Sequence, residues 1–138
     1  MYIIRLILAV IAGFFISGDV YASSSEESSD EGSVEYVEMD PLILPIIDQD
    51  GVYQVLSLVV IIEVEGVFNA DKIKARSPRL KDAYIQDMYG ILNENAALKN
   101  GVVQVKMLKK RLNKITDEIM GDEMDTEVLI QVIQQRPI

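Results

Sequence analysis

The sequence predicts an α+β domain, in which a small sheet with a long central strand carries two helices on one face. Three observations lead to this prediction. Residues 52–65 (VYQVLSLVVIIEVE) are rich in β-branched side chains, which favour strands. Two later segments repeat apolar residues at helical spacing. Short apolar runs at 42–47 and 128–134 are typical of flanking strands.

The composition argues against most classes of enzyme. The 138 residues include no His and no Cys, and the net charge is −9. The lack of both residue types excludes disulfides, thiolate nucleophiles and the usual zinc and haem sites. The negative charge argues against nucleic acid, which binds cationic surfaces. We therefore expect a protein that is not an enzyme and has no cofactor, no metal and no small-molecule substrate.

An enzyme that uses paired carboxylates is the alternative. An example of such a pair is Asp82 with Asp87, on the first predicted helix. Residues five apart do not share a helix face, so this pair is a poor acid–base couple.

The N-terminal segment, 1–22, predicts export. Arg5 precedes eleven apolar residues at 6–16, and small residues lead up to Ala22. This pattern is typical of a signal peptide cleaved after Ala22. The alternative is an uncleaved membrane anchor over 2–18, which would span about 25 Å as a helix and leave Arg5 at the headgroups. Both interpretations place the rest of the chain outside the cytoplasm.

Residues 23–40 form an acidic, Ser-rich tract that predicts a linker. The tract holds too few apolar residues to bury a core. Calcium binding is the alternative, but the carboxylates lack the spacing of a dedicated loop. These carboxylates are Glu26, Glu27, Asp30 and Glu31. The folded domain is therefore expected over 41–138.

The first part of that domain predicts a hairpin. Pro45 makes the run 42–47 an edge or bulged strand, because proline lacks a ladder donor. The DQDG sequence at 48–51 indicates a tight turn, and it lacks the downstream Glu of a calcium loop. Residues 58–62 are apolar on both faces. The long strand is therefore central, with helices on one side and more protein, either this chain or a partner subunit, on the other.

The first helical region is expected over 71–95. Ser77 and Pro78 are expected to restart the helix, with Ser77 as the N-cap and Pro78 at the first position. The apolar stripe that follows consists of Leu80, Tyr84, Met88 and Ile91. A loop at 95–101 ends this region, and we expect Asn100 to cap the next helix.

The second helix is expected over 102–120, with Gly121 ending it. Its narrow apolar seam consists of Val105, Leu108, Leu112, Ile115 and Ile119. The strand 128–134 follows, and a right-handed crossover would place it parallel to the long strand.

Charge is distributed unevenly between the two halves of the chain. No Lys or Arg lies between Leu6 and Asp71, whereas the second helix is strongly basic. Its basic face is either simply solvated or a docking surface for an acidic neighbour or anionic lipid.

Several short motifs resemble the periplasmic domain of the flagellar basal-body-associated FliL family. They are MDPL at 39–42, EVE at 63–65, SPRLKDA at 77–83 and LNKI at 112–115. The resemblance covers about residues 39–135 and includes the closing strand.

The resemblance implies a stomatin-like fold on the periplasmic side of the bacterial inner membrane. It also implies a non-catalytic accessory that associates with the flagellar stator and basal body and forms a homo-oligomeric ring, supporting flagellar rotation, swarming and chemotaxis. The positions carried over are structural, namely Pro41, Pro78, Asp82 and Asn113. The alternative function is an exported periplasmic adaptor or binding module without a flagellar connection.

The uneven charge also suggests that copies of the chain associate with one another. An acidic strand edge on one side would meet basic helices on the opposite side of the next copy, and such head-to-tail contacts close into rings. The acidic residues are Asp48, Asp50, Glu63 and Glu65, and the basic residues are Lys106, Lys109 and Lys110.

Overall fold

The computed structural model describes residues 32–48, 51–94 and 97–138. The expected signal peptide or anchor, its cleavage at Ala22 and the carboxylates of the suggested calcium site lie outside the described residues, as does Asp50.

The described chain is an α+β domain, which confirms the predicted fold class. Both long helices pack against an antiparallel sheet, α1 on the strands of one edge and α2 on the strand of the other. In chain order the elements are β1 (Val34–Glu38), β2 (Leu42–Asp48), β3 (Gly51–Glu65), α1 (Val67–Asn93), β4 (Leu98–Lys99), β5 (Val102–Val103), α2 (Val105–Met120) and β6 (Thr126–Pro137).

The long strand β3 is the centre of the sheet, as predicted. It pairs with β2 and β1 along one edge and with β6 along the other. The hairpin from β2 to β3 closes with Asp48 opposite Gly51, so the predicted turn is confirmed. The ladder of β2 is irregular between Ile46 and Ile47, directly after Pro45, so the predicted bulged edge strand is also confirmed.

The domain begins before Pro41, so the expected linker boundary at residue 40 is wrong. Val34–Glu38 forms β1, and Val37 pairs with Ile62. Val37 and Met39 are buried in the core. Val37 is the one buried residue of VEYVE, since Val34 and Tyr36 are exposed on the other face. The segment therefore lacks the apolar alternation that would predict a strand, and its acidic composition predicted a linker instead.

The last strand is antiparallel to β3, which corrects the expected parallel crossover. The helices explain the direction, because they run antiparallel to each other. Arg76 Nη1 near the start of α1 donates to the Ile119 carbonyl near the end of α2 at 2.8 Å. Two helical passes return the chain to the end of the sheet where β3 finished, so β6 must run back along it.

Helix α1 continues through Pro78, so the expected restart at Ser77 is wrong. The Ser77 hydroxyl donates to the Ile73 carbonyl at 3.1 Å, a bond within the helix rather than an N-cap. Pro78 is exposed, so water can solvate the carbonyl that lacks a helical donor. The predicted stripe downstream is confirmed as buried, and its members are Leu80, Tyr84, Met88 and Ile91.

A small hairpin precedes α2, which therefore starts at Val105 rather than at 102. Asn100 and Gly101 both have positive φ, 53° and 76°, as a two-residue hairpin turn requires. Asn100 is thus a turn residue and not the expected cap, which is Gln104.

Helix α2 buries most of its predicted seam. Leu108, Leu112 and Ile115 are in the core, but Val105 is exposed and Ile119 is half-buried. Gly121 ends the helix as predicted, with φ of 97°.

Candidate functional site: the open face of the sheet

The sheet has one covered face and one open face. Even-numbered residues of β3 are buried beneath the helices, and they are Leu56, Leu58, Val60, Ile62 and Val64. The alternate residues point to the other side. We call this side the open face and define it by Ile43 on β2, Val59 and Ile61 on β3, and Leu129 and Val132 on β6.

The open face is apolar and accessible to solvent. Ile43 is 58% exposed and Val132 is 47% exposed, while Val59, Ile61 and Leu129 are half-buried. Both described helices pack on the opposite face. Contiguous apolar surface of this kind marks sites of protein association.

Opposite charges lie at the two ends of the open face. Glu63 of β3 is in register with Glu127 of β6 at one end, and Val55 is in register with Arg136 at the other. A hydrogen bond to Glu63, together with its negative charge, raises the pKa of the Tyr36 phenol. The open face is therefore a dipolar apolar surface, acidic at the start of β6 and basic near its end.

Lys109, one of the basic residues of α2, lies beside the acidic end of β3 and not on the side opposite to it. Lys109 Nζ lies 2.6 Å from Glu127 Oε1, beside the register position of Glu63. This arrangement corrects the expected separation of charge, because β6 brings its own carboxylate to α2. Lys106 and Lys110 are exposed on α2, and Glu65 is exposed at the end of β3.

Two of the family positions, Pro78 and Asp82, line a shallow groove of about 490 Å³. This Pro78 groove lies between α1 and the junction of β1 with β2, and its lining comprises Glu38, Met39, Asp40, Ser77, Pro78, Lys81, Asp82 and Ile85. Lys81 Nζ and Asp40 Oδ2 form an ion pair at 3.2 Å. Pro41 follows Asp40 and is exposed. The carboxylates here are exposed, so the groove offers no desolvated acid or base.

The suggested carboxylate pair is separated by its hydrogen bonds. Asp82 accepts a bond of 2.9 Å from Gln86 of its own helix. Asp87 instead receives two bonds from the Arg111 guanidinium of α2, one of them 2.9 Å from Nε to Oδ2. The hydrogen bond to Asp87 raises the pKa of Arg111. Asp87 thus joins the two helices through Arg111. Asp82 and Asp87 both line a second groove, of about 570 Å³, between the helices.

A buried polar contact between the helices was not predicted. The Tyr84 hydroxyl lies 2.6 Å from Thr116 Oγ1, and Thr116 donates to the Leu112 carbonyl at 2.8 Å. Burial raises the pKa of Tyr84 to about 12. The sequence identifies Tyr84 as a member of the apolar stripe, but nothing in the sequence marks Thr116 as its partner.

Asn113, the fourth family position, holds α2 to the open edge of β6. Its Oδ1 accepts the Val128 N–H at 2.8 Å, and its Nδ2 donates to the Lys109 carbonyl at 3.0 Å. Asn93 makes the same arrangement at the other sheet edge, because its Oδ1 accepts the Ile47 N–H at 2.8 Å. β2 and β6 thus each have one backbone donor satisfied by a helix amide, and no feature of the sequence indicates this role for Asn93.

The described residues contain neither a metal-binding cluster nor a membrane-spanning helix. In residues 32–48, 51–94 and 97–138, no cluster of three or more acidic side chains is arranged to hold a metal ion. None of the helices in that part of the chain combines the length and apolar character needed to cross a bilayer.

No protein-family model matches the chain, and no curated protein matches it either.

Proposed function

We propose that this protein is an exported, non-catalytic accessory of the flagellar motor that associates with the basal body and stator. It would act on the periplasmic side of the inner membrane, as an oligomer, in support of flagellar rotation, swarming and chemotaxis. The open face is the observation that carries the non-catalytic part of the proposal, since a large apolar surface suits assembly. The flagellar part rests on the motif resemblance over residues 39–135.

The chemistry of the Pro78 groove favours association over catalysis. The Pro78 groove is lined by exposed carboxylates, whereas catalytic acids and bases are usually desolvated and their pKa values displaced. Among residues 32–48, 51–94 and 97–138 the buried titratable group is Tyr84, and its hydroxyl is hydrogen-bonded to Thr116. A motor accessory requires only surfaces of contact, and this chain supplies one.

Imaging in live cells tests the proposal. Ile138 is 80% exposed, so a periplasm-competent fluorescent protein can be fused after this residue without disturbing the core. We expect foci at labelled flagellar bases that weaken when the stators are removed. Foci that persist without stators would point to the basal body itself as the contact.

Matched variants connect the foci to the open face. Val132→Asp places a charge on the open face, and Val102→Asp places the same charge on an exposed Val of β5. We expect the first variant to lose its foci and the second to keep them. Equal foci in both variants would show that the contact with the motor does not use the open face.

The second candidate function is an exported adaptor or binding module with no flagellar role. The open face favours it equally, because an apolar sheet face does not specify its partner. A diffuse periplasmic rim in the imaging experiment would refute the flagellar role and leave the adaptor as the conclusion.

A further inference from the structure

We propose that the open face binds the open face of a second copy of this chain. The two sheets would stack face to face, with their β3 strands antiparallel and the two-fold axis passing near Val59. The proposal concerns how copies of the chain pair, and it holds whether the protein serves the flagellar motor or another exported assembly.

The charges on the open face are self-complementary in this arrangement. A two-fold axis at Val59 places position 55 of one β3 over position 63 of the other. Arg136, in register with Val55, then lies over the position of Glu127 of the second copy, beside its Glu63. Glu127 is already paired with Lys109 of its own chain, so Glu63 supplies the opposite charge. The same pair occurs twice, as in every isologous interface. A parallel stack with its two-fold axis along β3 would instead place Glu63 over Glu63 of the second copy.

The apolar part of the open face lies between these charged ends. Val59 is at its centre, with Ile43 and Val132 on the flanking strands keeping about half of their surface in water. A second apolar sheet at a distance of about 10 Å would bury them. Aligned packing of this kind is the usual way in which two sheets form a sandwich.

The size of the open face predicts a weak dimer. From position 55 to 63, β3 extends about 27 Å, and three strands at about 4.8 Å spacing give a width of about 15 Å with side chains. Each copy would therefore bury roughly 400–600 Å², or about 1,000 Å² in total, which is the lower end for specific interfaces. We expect a dimer that depends on concentration.

The free edges of the sheet are less suited to pairing than the open face. The N–H groups of Ile47 and Val128 are occupied by Asn93 and Asn113. A strand added beside Ile47 or Val128 would have to displace a helix amide. This favours stacking of faces over extension of the sheet.

Single cysteines test the proposal directly, because the chain has none of its own. The full chain with Val59→Cys, expressed in exporting cells, is treated with a thiol crosslinker that spans about 10 Å, the distance between packed sheets. We expect a band of twice the chain's mass. Lys110→Cys is the control, since Lys110 lies exposed on the far helix, and it should remain a monomer.

Charge reversal tests the antiparallel geometry. Arg136→Glu should weaken the Val59→Cys dimer by about five- to twentyfold, since two ion pairs are lost at once. Adding Glu63→Arg to the same chain should restore much of the crosslinked fraction, because it returns an opposite charge to that end. If adding Glu63→Arg to the Arg136→Glu chain lowers the crosslinked fraction further, the antiparallel arrangement is refuted.

Three outcomes would overturn the proposal. A Val59→Cys chain that stays monomeric at high expression would show that no second copy lies there. A crosslinked band of another mass would identify a different protein on the open face. A crosslink between Glu63→Cys and Lys110→Cys chains, expressed together, would instead support head-to-tail assembly. A dimer found away from flagellar bases would leave the dimer standing and refute only the flagellar role.

Discussion

Replacing Asn113 with alanine removes the side chain that joins α2 to the open edge of β6. The Val128 N–H then loses its acceptor at 2.8 Å. Val128 itself is fully buried, at 0% exposure, so water has little access to the abandoned donor. The Lys109 carbonyl also loses the amide bond, but it keeps its place in the helix.

The expected cost follows from these contacts. A buried donor without a partner costs about 1–3 kcal/mol. Alanine favours the helix over asparagine by roughly 0.6 kcal/mol, which offsets part of that cost. The net loss is therefore about 1–2 kcal/mol of unfolding free energy. For a chain of this size the melting temperature should fall by about 3–8 °C.

Urea unfolding of the full chain, followed by far-UV circular dichroism, measures the loss. Asn69→Ala is the surface control, because its amide only donates to the Glu65 carbonyl in solvent. Asn113→Asp keeps an oxygen to accept the Val128 N–H and should lose less than Asn113→Ala. Equal stability of Asn113→Ala and Asn69→Ala would refute the role that we assign to Asn113.

Three further predictions concern α1 and its contacts. Pro78→Ala should raise the unfolding free energy by about 1–2 kcal/mol in the same urea assay, because Pro78 lies inside a continuous helix. An unchanged unfolding free energy would favour a helix that starts at Pro78. Tyr84 keeps its proton to a pKa of about 12, whereas an unfolded tyrosine ionises near 10. Stability should therefore fall by roughly 1.4 kcal/mol per pH unit from pH 10 to 12, and Tyr84→Phe should flatten that slope in unfolding curves measured at pH 9 and 11.5. Asp87→Asn should lower the unfolding free energy by no more than about 1 kcal/mol, because water reaches both Asp87 and Arg111. Added salt should reduce the difference in unfolding free energy between this variant and the parent chain. A difference that does not change with salt would contradict the ion pair.

Periodicity predicted the parts of the fold whose side chains meet the core at regular steps. The run 58–62, apolar on both faces, identified β3 as the central strand. The stripe that includes Tyr84 identified the covered side of α1. Both signals are local, since each follows from the spacing of residues within one element.

The errors came where a local signal was outweighed by tertiary contacts. Pro78 favours a helix start in isolation, but burial of residues on both sides of it keeps α1 continuous. VEYVE at 34–38 is polar in composition, yet pairing along β3 makes it a strand. The direction of β6 depends on how the two helices pack against each other, as the contact of Arg76 with Ile119 shows. None of these contacts is encoded in a short window of sequence.

The candidate site had the same limits. The sequence indicated that β3 is apolar on both faces, and it left open whether this chain or another covers the second face. In the described residues both helices lie on one face, and Ile43 and Val132 on the other face are exposed. The charged residues named for assembly were only partly placed, because Lys109 is held by Glu127 of the same chain.

The sheet edges and the open face together restrict how copies of this domain can associate. Asn93 and Asn113 each occupy a backbone donor at one edge, and the apolar surface of Val59 and its neighbours faces away from both edges. Association through an edge at Ile47 or Val128 would compete with hydrogen bonds that the helices already make, whereas association through the open face competes with neither of them. Removal of either asparagine should therefore weaken the fold without strengthening the dimer. An Asn113→Ala chain with a larger crosslinked fraction at Val59→Cys would reverse this argument and make the freed edge the contact.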